Sequence, residues 1–228
     1  MGMMSMLRPH RLVVAVFLLG ISLIAFSQNT PSSADESSAA KYLILPGGKS
    51  GGAMSAATTT QDLIRIYGKE NVVETSIQNA NGEDESVTEL FRSDPLRSAV
   101  LEWKDPYNRR TLMNIEISGA KSLWRTTHGI TLGTTLKELE RLNGKPFLLS
   151  GFAWDYSGTV MSWDGGMLAQ ELKEVDHPGR VLLRLDCAAS AYQQPTYLSV
   201  TGERTFSSMN PAMQELNPTI DDVIWFFH

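Results

Sequence analysis

The chain has 228 residues, a net charge of −5 and a single cysteine, and these values exclude several classes of protein. An acidic chain without clustered positive charge is not expected to bind nucleic acid or anionic lipid, because both attract Lys and Arg. One cysteine cannot form an intramolecular disulfide, so the folded part must be stabilised by its hydrophobic core. The length is sufficient for such a core in one domain or in two small ones.

The N-terminal segment has the layout of a secretory signal peptide. Arg8 and Arg11 precede Leu12–Phe26, an apolar stretch of fifteen residues, and the small residues Ala25 and Ser27 predict cleavage after Ser27. A membrane-spanning helix would need about 20 apolar residues, so an uncleaved anchor is the alternative. Cleavage would leave 228 − 27 = 201 residues with a charge of −5 − 2 = −7. We therefore expect an exported protein, in the periplasm or outside the cell.

The next segment is expected to lack regular structure. Gln28–Lys41 is rich in Ser, Ala and Asp, which predicts a flexible tether. Tyr42–Leu45 is a short strand-like run at which the folded part is expected to begin. Gly47–Gly52 contains the G-K-S of a phosphate-binding loop, but that pattern needs a glycine where this chain has Leu43. We interpret these residues as a flexible turn.

Residues 42–118 are predicted to form one α+β unit. Thr59 lies three residues before Asp62, which is the spacing of a helix cap, and Gly68 ends the helix predicted at Thr60–Tyr67. Asn81-Gly82 is a hairpin signal within Asn79–Glu83. The predicted strands are Val72–Ile77, Ser86–Phe91, Ala99–Trp103 and Leu112–Ile117. The unit is thus one short helix packed on an antiparallel sheet of about four strands.

Residues 119–228 are predicted to form a second unit of the same kind. Thr135 and Glu138 have the spacing of a capping box, an apolar stripe follows, and Gly144 is the expected C-terminal cap. The remaining predicted elements are strands at Phe147–Trp154, Thr159–Trp163, Arg180–Cys187, Tyr197–Val200 and Val223–Phe227, and a helical turn at Ser208–Leu216.

The two predicted helices have similar sequences. Thr58–Lys69 aligns with Thr134–Lys145 without gaps, and the identical positions include caps, a leucine, an arginine and a lysine. Chance similarity between capped helices would not require the exposed basic residues to match. The alignment therefore favours a tandem duplication of the helix-and-sheet unit.

The segment Gly129–Val160 resembles a family of uncharacterised exported bacterial proteins. Its pattern G-I-T…T-x-x-E-L-x-x-L-x-G-x-P is also similar to the repeat of the beta-lactamase-inhibitor-protein and outer-membrane-assembly lipoprotein BamE group. Those proteins are small helix-plus-sheet modules, and the resemblance implies a role in binding other proteins. This chain inserts Leu132-Gly133 after G-I-T and has no lipobox cysteine. A lipid anchor and the partners of that group are therefore not expected here.

Few residues suggest catalysis or metal binding. His128, His177, His228 and Cys187 have no second ligand at metal spacing, and no catalytic pattern accompanies them. We interpret the histidines as solvated loop residues and the cysteine as a buried thiol. The sequence predicts no catalytic residue, metal or cofactor.

The stretch 152–166 is the most distinctive part of the chain, because it combines aromatic residues with two acids. Its candidate binding residues are Trp154, Asp155, Tyr156, Trp163 and Asp164. We expect a non-catalytic protein-interaction module and, as its partner, another exported protein. One alternative is a binder of small molecules or glycans that uses this hairpin. Another is a hydrolase that uses Asp155 and Asp164, and a core role for the aromatics is the structural alternative. The sequence does not determine the oligomeric state.

Overall fold

The computed structural model describes residues 40–45, 49–50, 54–78 and 82–227. The predicted signal peptide, residues 28–39 of the tether, the glycines of the 47–52 turn, residues 79–81 of the hairpin and His228 lie outside the described residues. The described part contains helices and antiparallel sheets, so the prediction of a mixed α+β fold is confirmed.

The elements follow in chain order. The strands are β1 (Leu43–Leu45), β2 (Lys49–Ser50), β3 (Val72–Gln78), β4 (Asp84–Leu90), β5 (Ala99–Asp105), β6 (Arg110–Ser118), β7 (Arg125–Thr126), β8 (Leu148–Ser150), β9 (Val160–Ser162), β10 (Val181–Asp186), β11 (Thr205–Ser207) and β12 (Thr219–Phe226). The helices are α1 (Thr60–Tyr67), α2 (Leu136–Asn143), α3 (Leu168–Glu171), α4 (Pro195–Leu198) and α5 (Pro211–Leu216).

The largest sheet has six strands in the order β10-β12-β6-β5-β4-β3, and every neighbouring pair is antiparallel. Strands β3, β4, β5 and β6 lie side by side in chain order, and they match the four strands predicted between residues 72 and 117. Strands β10 and β12 lie beyond the predicted boundary at residues 118–119, yet β12 pairs with β6, with Asp222 opposite Ser118. One sheet therefore contains strands from both predicted units.

This sheet has two different faces. On one face, the cross-strand neighbours Thr88, Leu101, Ile115, Trp225 and Val181 form a continuous row that is 0 to 4 % exposed. We call these five residues the core row. The four apolar residues of the core row belong to one hydrophobic cluster, which also contains Leu63 of α1 and Leu139 of α2. The core of the described part thus lies on this face of the sheet.

Helices α1 and α2 begin and end at the residues that the sequence predicted. The Thr59 hydroxyl accepts the Asp62 N–H, and the Asp62 carboxylate accepts the Thr59 N–H at 3.0 Å, which makes a complete capping box. At α2 the Thr135 hydroxyl accepts the Glu138 N–H at 3.2 Å, but the Glu138 carboxylate lies 3.9 Å from Arg141 instead of returning to the Thr135 N–H. The capping box predicted at Thr135 and Glu138 is therefore only half formed. Each helix thus has a threonine that satisfies an otherwise unpaired N–H.

The glycines after the two helices adopt different conformations. Gly144 has φ +75° and ψ 0°, which is the left-handed cap, whereas Gly68 has φ +90° and ψ 143°. Both values lie in the region that favours glycine. Only Gly144 therefore forms the left-handed cap that its position suggests.

Two strand predictions in the second half were wrong. Residues 147–154 form a strand only at β8, because the chain turns at Ala153, whose φ is +62°. Phe152, Trp154 and Tyr156 therefore do not share the face of a strand. Residues 197–200 were predicted as a strand, but the chain forms α4 here, with Pro195 at its first position. Proline is favoured there because its φ is already helical and its missing N–H is not needed.

Two smaller sheets complete the described part. Strands β2, β1 and β7 form one, in which β1 and β7 are parallel, and β11, β8 and β9 form the other. Between residues 40 and 227, where the structure describes the chain, none of the helices has the length and hydrophobicity needed to cross a membrane.

Candidate functional site

The five candidate residues of the 152–166 stretch separate into core and surface. Tyr156 is 57 % exposed, Asp155 and Asp164 are exposed, and Trp154 is half-buried. Trp163 is only 2 % exposed and packs on Phe147 with 5.3 Å between ring centroids. The prediction that Trp163 belongs to a binding surface was therefore wrong: its ring fills the core.

The two acids of the stretch have different surroundings. Asp164 lies 3.6 Å from the Lys145 ammonium, beyond the end of α2. Asp155 lines a cavity together with Arg184, and Asp164 does not line that cavity. Asp155 and Asp164 thus lack the shared cavity that a pair of hydrolytic carboxylates requires.

The turn at residues 153–157 brings Trp154 and Asp155 to the end of the large sheet. The Trp154 indole N–H donates to the Gly151 carbonyl at 2.8 Å, and its ring meets Tyr156 edge-on with centroids 5.2 Å apart. The turn ends at Gly158, whose carbonyl accepts the Leu185 N–H at 3.1 Å. A Cβ at Gly158 would lie 1.8 Å from the Leu185 carbonyl oxygen, so this close approach to β10 requires glycine.

The resulting cavity has a volume of about 290 Å³ and is rich in carboxylates. Its lining residues are Trp154, Asp155, Ser157, Arg184, Leu185, Asp186, Asp221 and Asp222. We call this cavity the acidic cleft. Four of its side chains are carboxylates and one is a guanidinium, so the cleft has an excess of negative charge.

A β-bulge explains why two consecutive aspartates line the same cleft. Arg184 is opposite Asp222, whereas Leu185 is opposite Ile220, so Asp221 is an extra residue in β12. An extra residue bends the strand and changes the direction of the side chains beside it. Regular alternation would instead direct neighbouring side chains to opposite faces.

Asp222 is the most buried carboxylate of the cleft. It is 8 % exposed, its Oδ2 lies 3.6 Å from an Arg184 nitrogen, and its Oδ1 has no hydrogen-bond partner among the described residues. Burial raises the pKa of Asp222 to about 7, and the Glu116 carboxylate contributes in the same direction. Ionised Asp222 therefore lacks part of the stabilisation that a buried charge needs.

The other carboxylates differ in their partners. Partial desolvation and the charge of Asp186 raise the pKa of Asp221. Asp186 accepts the Tyr192 hydroxyl at 2.6 Å and the Cys187 N–H at 2.7 Å. The hydrogen bond between Tyr192 and Asp186, together with burial, raises the pKa of Tyr192 to about 12. Asp186 is thus held in place, and a cation in the cleft would find it already oriented.

A second cavity adjoins the acidic cleft, because both are lined by Ser157 and Asp186. Its volume is about 610 Å³, and its walls include Tyr192, Tyr197 and the exposed Leu198. Aromatic rings beside a carboxylate suit a ligand that has both apolar and hydroxyl groups.

His128 has a partner that the sequence did not reveal. The Glu171 carboxylate contacts the His128 Nδ1 and also accepts the Thr127 N–H at 3.1 Å. Glu171 is buried, whereas the His128 side chain is 52 % exposed. His128 is thus an exposed loop residue, as predicted, but it has a carboxylate partner that the sequence analysis missed. Residues 128 and 171 are 43 positions apart, and no local pattern connects them.

Cys187 is a buried free thiol, and burial raises its pKa to about 12. Such a thiol is protonated at neutral pH and is a poor nucleophile. Within residues 40–227, as far as the structure describes them, no group of three or more His, Cys, Asp or Glu side chains could hold a metal ion.

Comparisons with known proteins give no relative: no family model, curated protein or solved structure matches this chain.

Proposed function

We propose that this chain is an exported, non-catalytic protein-interaction module that binds a basic segment of another exported protein in the acidic cleft. The observation that carries the proposal is the buried, unpartnered Oδ1 of Asp222 in a cleft of four carboxylates and one arginine. A Lys or Arg side chain would satisfy this oxygen and compensate the excess charge. The predicted signal peptide and the resemblance of Gly129–Val160 to protein-binding modules support the same role.

The rim of the cleft supplies aromatic surface. Trp154 lines the cleft and is half-buried, and the exposed Tyr156 meets its ring edge-on. Tyr and Trp contribute much of the binding energy at interface centres because they bury large areas with few rotatable bonds. A basic residue flanked by an apolar one would therefore contact both parts of the site.

The proposal predicts that binding strengthens as pH rises through the pKa of Asp222. A bound cation favours ionised Asp222, and this acid ionises near pH 7 in the free protein. The affinity for a basic peptide should therefore increase from about pH 6 to about pH 8, by linkage between binding and ionisation. Fluorescence anisotropy with a labelled peptide of alternating Lys and Gly measures it, and an alternating Glu and Gly peptide is the negative control.

Matched variants locate the binding site. Asp155→Asn should weaken binding of the Lys–Gly peptide about tenfold, because it removes one carboxylate of the cleft. Asp164→Asn removes the same charge at an exposed position outside the cleft and should change affinity less than about twofold. Equal effects of the two substitutions would show that the peptide senses only net charge, and the proposal would fail.

A second candidate function is the binding of a small molecule or glycan. It is favoured by the cavity of about 610 Å³, in which Tyr192 and Tyr197 stand beside Asp186. Titration calorimetry with soluble oligosaccharides tests it, with Tyr197→Leu as the variant that removes an aromatic wall. Heats of binding unaffected by this substitution would contradict the assignment.

We also propose that the two helical segments arose by duplication. Support comes from the threonine caps, the buried Leu63 and Leu139, and the antiparallel strand pairs β3–β4 and β8–β9 that follow the helices. An experimental structure in which the two helix–strand–strand segments cannot be superposed would contradict this origin.

A further inference from the structure

The face of the large sheet opposite the core carries a second continuous row of side chains. The strand registers place each of its members directly opposite the next, across all six strands. We call it the outer row, and its members are Val73, Glu89, Val100, Glu116, Ile224 and Leu182. Apolar and acidic residues alternate over the first five positions. At about 4.8 Å between strands, the row is about 24 Å long.

The outer row is partly exposed to solvent, unlike the core row. All six of its members have intermediate exposure, whereas the core row is buried throughout. None of its four apolar residues belongs to the hydrophobic core cluster or packs against it. The described residues therefore leave apolar side chains of four different strands on a surface outside the core. Partly exposed apolar side chains that lie outside the core in this way are candidates for an interaction surface.

Glu116 lies at the centre of this row and has no direct partner. It stands between Val100 and Ile224, and in the described part of the chain its carboxylate makes no hydrogen bond or ion pair. Burial raises the pKa of Glu116, and the Glu102 carboxylate contributes, while the charge of Arg184 acts in the opposite direction without forming an ion pair with Glu116. An unpaired carboxylate held between apolar neighbours would gain most from a cation that arrives with its own apolar surface.

The residues next to the outer row contain further unsatisfied polar atoms. Asn114 is 4 % exposed, and although its amide donates to Glu102 at 2.6 Å, its Oδ1 has no partner among the described residues. Asp222 lies two residues before Ile224 on β12, so the outer row adjoins the acidic cleft. The buried oxygens Asn114 Oδ1 and Asp222 Oδ1 both point to a partner that donates hydrogen bonds.

We infer that the outer row is the docking surface for an amphipathic segment with a cationic side chain that meets Glu116 and apolar side chains that meet Val100, Ile224 and Leu182. Glu89 already forms an ion pair with Arg92 and is not part of this contact. This inference rests on the proposed function and specifies the chemistry of the partner, which is both basic and apolar. The row is longer than a single side chain or a small ligand can span. A second copy of this chain would oppose acids to acids, and nucleic acid would do the same with its phosphates. The unpaired carboxylate of Glu116 thus favours a basic protein segment.

The experiment uses a synthetic amphipathic Lys/Leu peptide as the probe and a Glu/Leu peptide as its control. Binding to the full chain is measured by fluorescence anisotropy. Glu116→Gln should weaken binding of the Lys/Leu peptide about tenfold, and Leu182→Ser should weaken it to a similar extent. Glu203→Lys is the matched control for Glu116→Lys, because Glu203 is an exposed acid away from the sheet. The control should change affinity less than about twofold, whereas Glu116→Lys should abolish binding.

The outcomes separate this inference from the proposed function. If Asp155→Asn weakens binding of the Lys–Gly peptide while no outer-row variant affects the Lys/Leu peptide, the cleft stands and the outer row is overturned. Failure of the wild-type chain to bind the Lys/Leu peptide overturns it as well. An effect of Glu116→Gln without one of Leu182→Ser would reduce the surface to a charge site and overturn the amphipathic assignment. Urea midpoints of each variant show that a loss of binding is not a loss of folding.

Discussion

Asp222 shows how one residue of this protein combines a cost to stability with a place in the proposed binding site. It is buried beside Arg184, which offsets only part of the cost of desolvation, and Glu116 adds repulsion. Residues kept in such a position are common at functional sites, where a ligand supplies the missing partner. The same environment makes the stability of the protein depend on pH in a direction that can be tested.

Asp222 should make the folded protein less stable as pH rises. Its pKa is near 3.8 when unfolded and about 7 when folded, so between these values the folded state holds the proton that the unfolded state releases. The free energy of unfolding should therefore fall from about pH 4 to about pH 7, by on the order of 2–4 kcal/mol from this group. Asp222→Asn should make the free energy of unfolding depend less on pH. Part of the dependence should remain, because the raised pKa values of Glu116 and Asp221 act in the same direction.

Urea unfolding at several pH values measures this effect, and Asp164→Asn is the control because Asp164 is exposed. Parallel profiles for the wild type and Asp222→Asn would contradict the assignment of a raised pKa to this carboxylate.

At the scale of the element, α2 depends on its ends because it has only eight residues. A helix of this length is not stable alone in water and needs both its caps and its buried leucines. Leu136 and Leu139 are fully buried, and Asn143 at its last turn hydrogen-bonds the Trp163 carbonyl at 3.0 Å. The end of α2 is thereby connected to the buried tryptophan of the 152–166 stretch, which explains why Trp163 is structural.

Removal of the N-terminal cap should weaken this arrangement measurably. Thr135→Ala should lower the free energy of unfolding by about 1 kcal/mol, because the Glu138 N–H loses its acceptor. Lys137→Ala on the exposed side of the same helix is the control and should change stability by less than about 0.5 kcal/mol. Denaturant midpoints that do not distinguish the two variants would show that the cap is not a source of stability.

At the scale of the whole molecule, β12 joins what the sequence divided into two units. Near the C-terminus it lies between β10 and β6 and pairs with both, since Val223 is opposite Leu183 on one side and Ile117 on the other. The middle of a sheet is thus made of strands far apart in sequence. Neither half of the chain can complete the six-stranded sheet without the other.

The shared sheet predicts a single cooperative unfolding transition for residues 28–228. Circular dichroism and tryptophan fluorescence should give the same denaturant midpoint, because independent units would unfold separately. The fragment 42–118 should not fold alone, since β6 would lose the pairing with β12 that covers its edge. A folded fragment, or two separate midpoints, would contradict this prediction and would favour two autonomous units.

The sequence by itself determined the elements whose signals are local. Alternating apolar residues and turn signals identified β3 to β6, and the threonine spacing identified the start of α1 and α2, because both patterns act over a few residues. It also identified Trp154 and Asp155 as candidate site residues, although not their neighbours in space.

Only the tertiary structure decided which surfaces these elements form. The position of β12 beside β6 depends on contacts between residues about a hundred positions apart, and the bulge at Asp221 depends on its pairing with β10. The contact of His128 with Glu171, the burial of Trp163 and the outer row follow in the same way. Their common physical reason is that burial and charge depend on what lies across a strand or beneath a side chain, and local sequence patterns do not contain that information.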